Sequence, residues 1–233
     1  MRIGLVCPYS WDVPGGVQYH VRDLAETLRA LGHSVEVLTP AEHEENLPAE
    51  HVTWAGRAVP VPYNGSMASI SFGPVAAARA RRWLREGHFD VVHVHEPASV
   101  SLSLLVCVIA DGPIVATFHA ATTRSKVLAA LGPVARPWLE RISGRIAVSD
   151  FARRVQVEHL GGDAVVIPNG VHVAAFADGP TLPGHARGTE APTIGFLGRY
   201  DEPRKGLPVL LEAMRTVVAE HPRARLLIAG RGD

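Results

Sequence analysis

Several groups of residues along this chain have types and spacings that can do chemistry. The first is Pro14-Gly15-Gly16-Val17-Gln18, between an aliphatic run and a helical pattern. Two glycines let the backbone approach a ligand, and a helix N-terminus beyond them presents free amides and a partial positive charge to an anion such as phosphate. The same residues also read as a plain tight turn. The loop is not G-x-G-x-x-G, and the next strand ends Val37-Leu38-Thr39-Pro40 without an acidic residue to hold a ribose, which disfavours a dehydrogenase.

His119 directly follows the apolar run Ile114 to Phe118. There it reads as an acid, a hydrogen-bond donor or a charge stabiliser at a reaction centre, or as an incidental member of the 12 histidines. His93, His95 and Glu96 end another strand. His-x-His-Glu can bind metal, but no third ligand group is evident in the sequence, so a structural or substrate-contact role is expected. In Gly198-Arg199-Tyr200-Asp201-Glu202-Pro203-Arg204-Lys205-Gly206, the cations Arg199 and Lys205 flank a loop before a helix. They can clamp a pyrophosphate and stabilise its charge as it leaves, or belong to a solvated turn. Finally, Pro74 to Arg85 is amphipathic. On a wheel of 100° per residue, Ala76, Ala80, Trp83 and Leu84 group on one side and Arg79, Arg81, Arg82 and Arg85 on the other. That basic face is either solvated or suited to anionic lipid headgroups.

These residues need a scaffold, and the hydrophobic pattern supplies one. Ile3 to Cys7 is a strand buried on both faces. Val17, Val21, Leu24, Leu28 and Leu31 mark a helix stopped by Gly32, and Val35 to Leu38 is a second strand. The pattern recurs as a helix over 74–86, a strand over 90–95, a helix over 98–110, a strand over 114–118, a helix over about 126–142 and a strand over 144–148. A helix capped by Ser149 and a strand over 165–167 close the series. Such alternation implies a doubly wound, Rossmann-like parallel sheet. Residues 1–173 read as an N-terminal domain, and 174–192, rich in Gly and Pro, as a linker. Residues 193–233 give the first strand, helix, strand unit of a second Rossmann-like domain: a strand over 193–197, a helix over 207–219 and a strand over 225–229. A lone unit of that size does not cover its own sheet, so the chain is expected to be part of a longer protein.

With 233 residues, 47% hydrophobic and 20% charged, the chain is an ordinary globular sequence, which excludes a mainly disordered, collagenous or coiled-coil architecture. A formal net charge of zero argues against a surface built as a whole for nucleic acid. The two cysteines, Cys7 and Cys107, lie in apolar runs and read as buried thiols of a reducing compartment. No apolar stretch reaches the roughly 20 residues that span a bilayer. A cytosolic protein is expected, free or bound to a membrane surface.

With these residues in view, the chain resembles the retaining glycosyltransferases of the two-Rossmann-domain GT-B type, family four, and among them the bacterial lipid mannosyltransferases that act on phosphatidylinositol. The resemblance runs over the whole chain. It rests on Val6 to Ser10, Asp12 to Gln18, Pro62-Tyr63-Asn64-Gly65-Ser66, His95-Glu96-Pro97, Ala116 to His119, Ile167 to Val171 and Phe196 to Gly206. It implies transfer of mannose from GDP-mannose to the inositol ring of phosphatidylinositol, with retention, at the cytosolic membrane face. It further implies that Gly15 and Gly16 bind the donor diphosphate and that Arg199 and Lys205 neutralise it as it leaves. His119 would then stabilise a cation-like transition state. Tyr9, Asp12, Gln18, Tyr63, Asn64 and Ser66 match the acceptor pocket, and Arg79, Arg81, Arg82 and Arg85 the membrane-binding helix. No cofactor or metal is implied, in keeping with the absence of a D-x-D triplet.

Two features depart from that family: its acidic donor-binding pair lies beyond Asp233, and His172 follows Asn169-Gly170-Val171 where Asp is usual. Two other readings compete. One is a GT-B glycosyltransferase with a soluble acceptor, such as a thiol precursor or a storage sugar, indifferent to anionic vesicles. The other is a lipid-binding module without catalysis.

Overall fold

The computed structural model describes residues 1–48, 50–63, 66–119, 136–177, 179–180, 182 and 191–230. They fall into two units, Met1–Val171 and His172–Asp233. The first unit runs β1 (Arg2–Val6), α1 (Gly16–Ala30), β2 (Ser34–Thr39), β3 (Val52–Trp54), β4 (Val59–Tyr63), β5 (Ser66–Ile70), α2 (Pro74–Gly87) and β6 (Val91–His95). It continues with α3 (Leu102–Ile109), β7 (Ile114–Phe118), β8 (Ile142–Ala147), α4 (Asp150–Leu160) and β9 (Val165–Val166). The second unit holds α5 (Val173–Ala177), β10 (Thr193–Leu197), α6 (Leu207–Glu220) and β11 (Arg225–Ala229).

The first unit is a seven-stranded sheet in the order β3-β2-β1-β6-β7-β8-β9, and its paired strands run parallel. Successive side chains of a strand point to opposite faces, so the aliphatic runs feed two cores. Ile3, Leu5, Val35 and Val37 pack with Val21 and Ala25 of α1. Val6, Leu38, Val92 and Val94 pack with Ala76, Ala80 and Trp83 of α2 and with Leu102 and Val106 of α3. Strand order reverses between β1 and β6, which makes the crevice at their carboxyl ends the expected ligand site of such a sheet. In the second unit β10 and β11 pair in parallel.

Most elements fall where the hydrophobic period puts them, with instructive exceptions. The helix expected from residue 98 begins at Leu102, because Glu96 has a left-handed backbone, φ 51°, and the Ser99 hydroxyl bonds the Glu96 carbonyl at 3.2 Å, closing a turn instead. Ile142 belongs to β8, not to the end of a helix; residues 126–135 of that expected helix lie outside the described residues. Leu31 is exposed. β3 and the β4/β5 hairpin were not expected, and α5 occupies the start of the segment read as linker. Ser149 does cap α4, accepting the Ala152 N–H at 3.1 Å.

Candidate functional site

The loop after β1 is held from within. Gln18, buried on α1, donates from Nε2 to the carbonyls of Ser10 (3.2 Å) and Val13 (2.9 Å). The Asp12 carboxylate accepts from the Ser10 hydroxyl at 3.3 Å and the Glu42 N–H at 2.5 Å. Tyr9 bridges to Ile70 of the hairpin, and Ser10 N–H bonds the Ser69 carbonyl at 2.8 Å. Gln18 and Asp12, matched above to an acceptor pocket, therefore spend these groups on shaping the loop. Of the remaining acceptor residues, Asn64 and the side chains of Tyr63 and Ser66 lie outside the described residues.

The loop delivers Gly15 as the extended N-cap of α1, with no side-chain cap and no acidic residue in the first turn. A Cβ on Gly16 would meet nothing within 4 Å. Gly16 is exposed and this 15-residue helix starts without a side-chain cap, features that suit an anion site.

One turn further along α1, His20 meets two histidines brought from distant strand ends. Its ring centroid lies 5.4 Å from that of His95 and 5.2 Å from that of His119, edge-on to both. His95 ends β6 and stacks on His93 at 4.5 Å; its Nδ1 is 3.0 Å from Nε2 of His119. His93 Nε2 is 2.7 Å from the Thr117 hydroxyl. The buried Glu96 carboxylate accepts the His119 backbone N–H. A non-glycine residue held left-handed is unusual, and here it turns the Glu96 carboxylate back beneath His119.

Burial makes these imidazoles weak bases. Burial, with the rings of His20 and His93, pushes His119 down to about 3. Burial and then His20 push His93 down to about 4. His95, enclosed by His93, His119 and His20, lies well below the ordinary value. His20 is lowered by burial, with Asp23 opposing. At neutral pH His119 is therefore an uncharged hydrogen-bonding group.

In the second unit, Arg199 donates to the buried Glu202 at 3.3 Å, and Lys205 ends a 3-10 turn, exposed, beside the left-handed Gly206 that starts α6. A Cβ on Gly230 would stand 1.8 Å from the Gly198 carbonyl oxygen, so the two loops at the end of this strand pair touch backbone to backbone.

On α2 the basic residues divide. Arg81, Arg82 and Arg85 are exposed, whereas the Arg79 guanidinium lies 4.0 Å over the Trp54 ring. Arg79 sits one turn before the buried Trp83 and flanks the apolar side of the helix, so it does not join the exposed face. Arg81 and Arg85, with Leu84, Phe89, Ile109 and Asp111, border a pocket of about 600 Å³ at the amino-terminal edge of the sheet. Among the described residues no helix is long and apolar enough to cross a membrane.

The residues missed by sequence reasoning are His20 and the structural partnership of Glu96 with His119. His-x-His-Glu was a signal for the second; His20 carried none, because its neighbours are 75 and 99 positions away.

The chain resembles several known proteins. Phosphatidyl-myo-inositol mannosyltransferase of Mycolicibacterium smegmatis is 58% identical over all of this chain and 60% of its own length. D-inositol 3-phosphate glycosyltransferase of Kineococcus radiotolerans is 28% identical over 94% of this chain and 56% of its own length. The chain thus spans about 60% of the length of the mannosyltransferase relatives it matches. Among solved structures, sucrose-phosphate synthase of Thermosynechococcus elongatus superposes with TM-score 0.65 at 18% identity over 99% of this chain and 62% of that one. Anabaena Alr3699/HepE, solved with UDP and glucose, gives 0.66 at 17% over 100% and 62%. They share the GT-B fold. The pattern of Glycosyltransferase Family 4 matches residues 14–175, from the glycine loop through both histidine strands, and the chain belongs to that family.

Proposed function

We propose that this chain carries the acceptor-side unit, and the opening of the donor-side unit, of a retaining glycosyltransferase that moves mannose from GDP-mannose to the inositol ring of phosphatidylinositol at the cytosolic face of the membrane. The observation that carries this reading is one crevice holding both an open helix N-terminus at Gly16 and the neutral imidazole of His119.

The first amides of α1 suit a diphosphate, through free N–H groups and the helix dipole. On the second unit Arg199 and Lys205 are the cations proposed to neutralise that group as it departs. Glycosyl transfer develops positive charge on the sugar ring. An imidazolium would repel that charge, whereas a neutral His119 presents only its dipole, and burial among three other histidines is what keeps it neutral. Glu96 fixes the His119 backbone, making it a positioning residue. The name of the Mycolicibacterium smegmatis relative supports mannose and phosphatidylinositol. The exposed Arg81, Arg82 and Arg85 support an anionic membrane surface, each worth about 1 kcal/mol near such a surface. The reading calls for no cofactor.

A second reading, a soluble inositol phosphate as acceptor, is favoured by the likeness to D-inositol 3-phosphate glycosyltransferase. The test is transfer of radiolabelled mannose from GDP-mannose, using this chain extended with the C-terminal remainder of the Mycolicibacterium smegmatis relative. Label in phosphatidylinositol vesicles, reduced about 10²-fold or more by His119→Ala and lowered by reversing the charge of Arg81, Arg82 and Arg85, supports the proposal. Label only in soluble inositol phosphate supports the second reading, and none in either sinks both.

A further inference from the structure

The His20, His95 and His119 rings stand closer than packing alone requires. Each offers one ring nitrogen, and these atoms all lie within 4.8 Å of one another. The closest pair, Nδ1 of His95 and Nε2 of His119, is 3.0 Å apart. Two nitrogens bound tetrahedrally at about 2.0–2.1 Å from a zinc ion stand roughly 3.3 Å apart, so this pair already has nearly the required spacing. The other nitrogen of His95, Nε2, is buried without a hydrogen-bond partner among the described residues, and Nδ1 is the nitrogen of that ring turned toward His119.

We propose that His20, His95 and His119 form a three-imidazole site for a divalent transition cation of the zinc class, the cation replacing the proton that now lies between His95 and His119. Three neutral imidazoles with an open fourth position are a donor set that suits zinc, cobalt and nickel and does not suit magnesium or calcium, which prefer oxygen. The proton displaced from between the two rings moves to the other nitrogen of its own ring, a change of tautomer that keeps every imidazole a neutral ligand. His20, half-buried on α1, closes the set by side-chain rotation, while His95 and His119 are fixed by β6 and β7. The proposal stands on the histidine geometry and not on the transferase reading. Where both hold, a bound cation takes the nitrogen of His119 that would face the donor sugar, and the cation then acts as an inhibitor.

The test titrates Co(II), and separately Zn(II), into the 233-residue chain, with visible absorption reporting cobalt coordination and calorimetry reporting stoichiometry. The expected result is one saturable site per chain, with a Co(II) absorption band that Zn(II) displaces and a chelator erases. His20→Ala and His119→Ala should each weaken binding at least tenfold. His221→Ala, an exposed histidine of the second unit, should leave it unchanged. Far-UV circular dichroism identifies any variant that does not fold; His20→Gln and His119→Asn, closer in size, then take its place. Absence of saturable binding, or affinity that survives either substitution, overturns the site and assigns the binding to surface histidines. Because the readout is binding and not transfer, its failure leaves the glycosyltransferase reading to its own assay.

Discussion

Both units contain a strand, loop, helix, strand motif, begun by β1 and by β10, and bury it differently. β1 reads Arg2-Ile3-Gly4-Leu5-Val6 and β10 reads Thr193-Ile194-Gly195-Phe196-Leu197. Each is followed by a glycine-bearing loop and a helix, and each pairs in parallel with the next strand of its unit. Yet Leu5 and Val6 are fully buried, while Leu197 is 85% exposed and Val209 of α6 is 75% exposed. The difference comes from sequence-distant partners. β1 has α1 over one face and α2 with α3 over the other, whereas β10 and β11 form a two-stranded sheet. A parallel strand is stable where both faces are covered, so similar strands are buried in the first unit and, over the residues present in this chain, exposed in the second. The chemistry follows the burial: in the first unit His95 and His119 are enclosed and made weak bases, while Lys205 of the second is exposed.

The largest test of this contrast is truncation. Trp83 is 3% exposed and its ring centroid lies 4.3 Å from that of Phe89. Trp83→Ala should lower unfolding stability by about 3–5 kcal/mol, and Val209→Ala should change it by no more than about 0.5 kcal/mol. All four tryptophans lie in the first unit, so intrinsic fluorescence during guanidinium unfolding reads Trp83→Ala, and hydrogen exchange at the amides of α6, β10 and β11 reads Val209→Ala. Comparable losses from both substitutions would break the comparison.

The sequence made most of the first unit's scaffold legible because its strands are continuous aliphatic runs. β7, β10 and β11 have the bounds that the runs alone imply. The β4/β5 hairpin was missed because Pro60 and Pro62 mask a strand pattern, although Asn64-Gly65 between the two runs is a strong hairpin signal. The candidate site was half legible. A glycine loop before a helix and a histidine after a strand are local features. The meeting of His20 with His95 and His119 depends on β6 and β7 lying side by side next to β1, which no local pattern encodes. Arg79 was assigned to the basic side of α2 because the wheel knows nothing of Trp54.

The next effect is a pH dependence that belongs to the first unit, where both cysteines lie. Burial raises the Cys7 thiol from 9.0 to about 11 and the Cys107 thiol from 9.0 to about 12. A folded-state value above the unfolded one means that this contribution to stability is complete below about pH 9. It is then lost as the pH rises toward 11, on the order of 2–3 kcal/mol for Cys7. Stability measured from pH 8 to pH 11 by tryptophan fluorescence should fall. At pH 8 a thiol reagent should react only as fast as the first unit unfolds. Rapid labelling of either cysteine in native buffer would show that this core is open.

The smallest effects sharpen the comparison most, because they use one substitution at equivalent positions and expect opposite signs. A Cβ on Gly4 would lie 2.6 Å from Cη2 of Trp83 and 3.0 Å from Cδ2 of Phe89, inside a closed core. Gly4→Ala must therefore displace two packed aromatic rings and should cost about 1–3 kcal/mol. A Cβ on Gly195 would meet nothing within 4 Å, and its φ is not among the positive values. Gly195→Ala removes only backbone freedom of the unfolded chain and should stabilise the strand pair by about 0.5–1 kcal/mol. Tryptophan fluorescence reads the first change, and hydrogen exchange at the β10 and β11 amides reads the second as slower exchange. Faster exchange in Gly195→Ala would mean that the face of β10 is covered in solution, and the two units would then differ less in burial than their exposures imply.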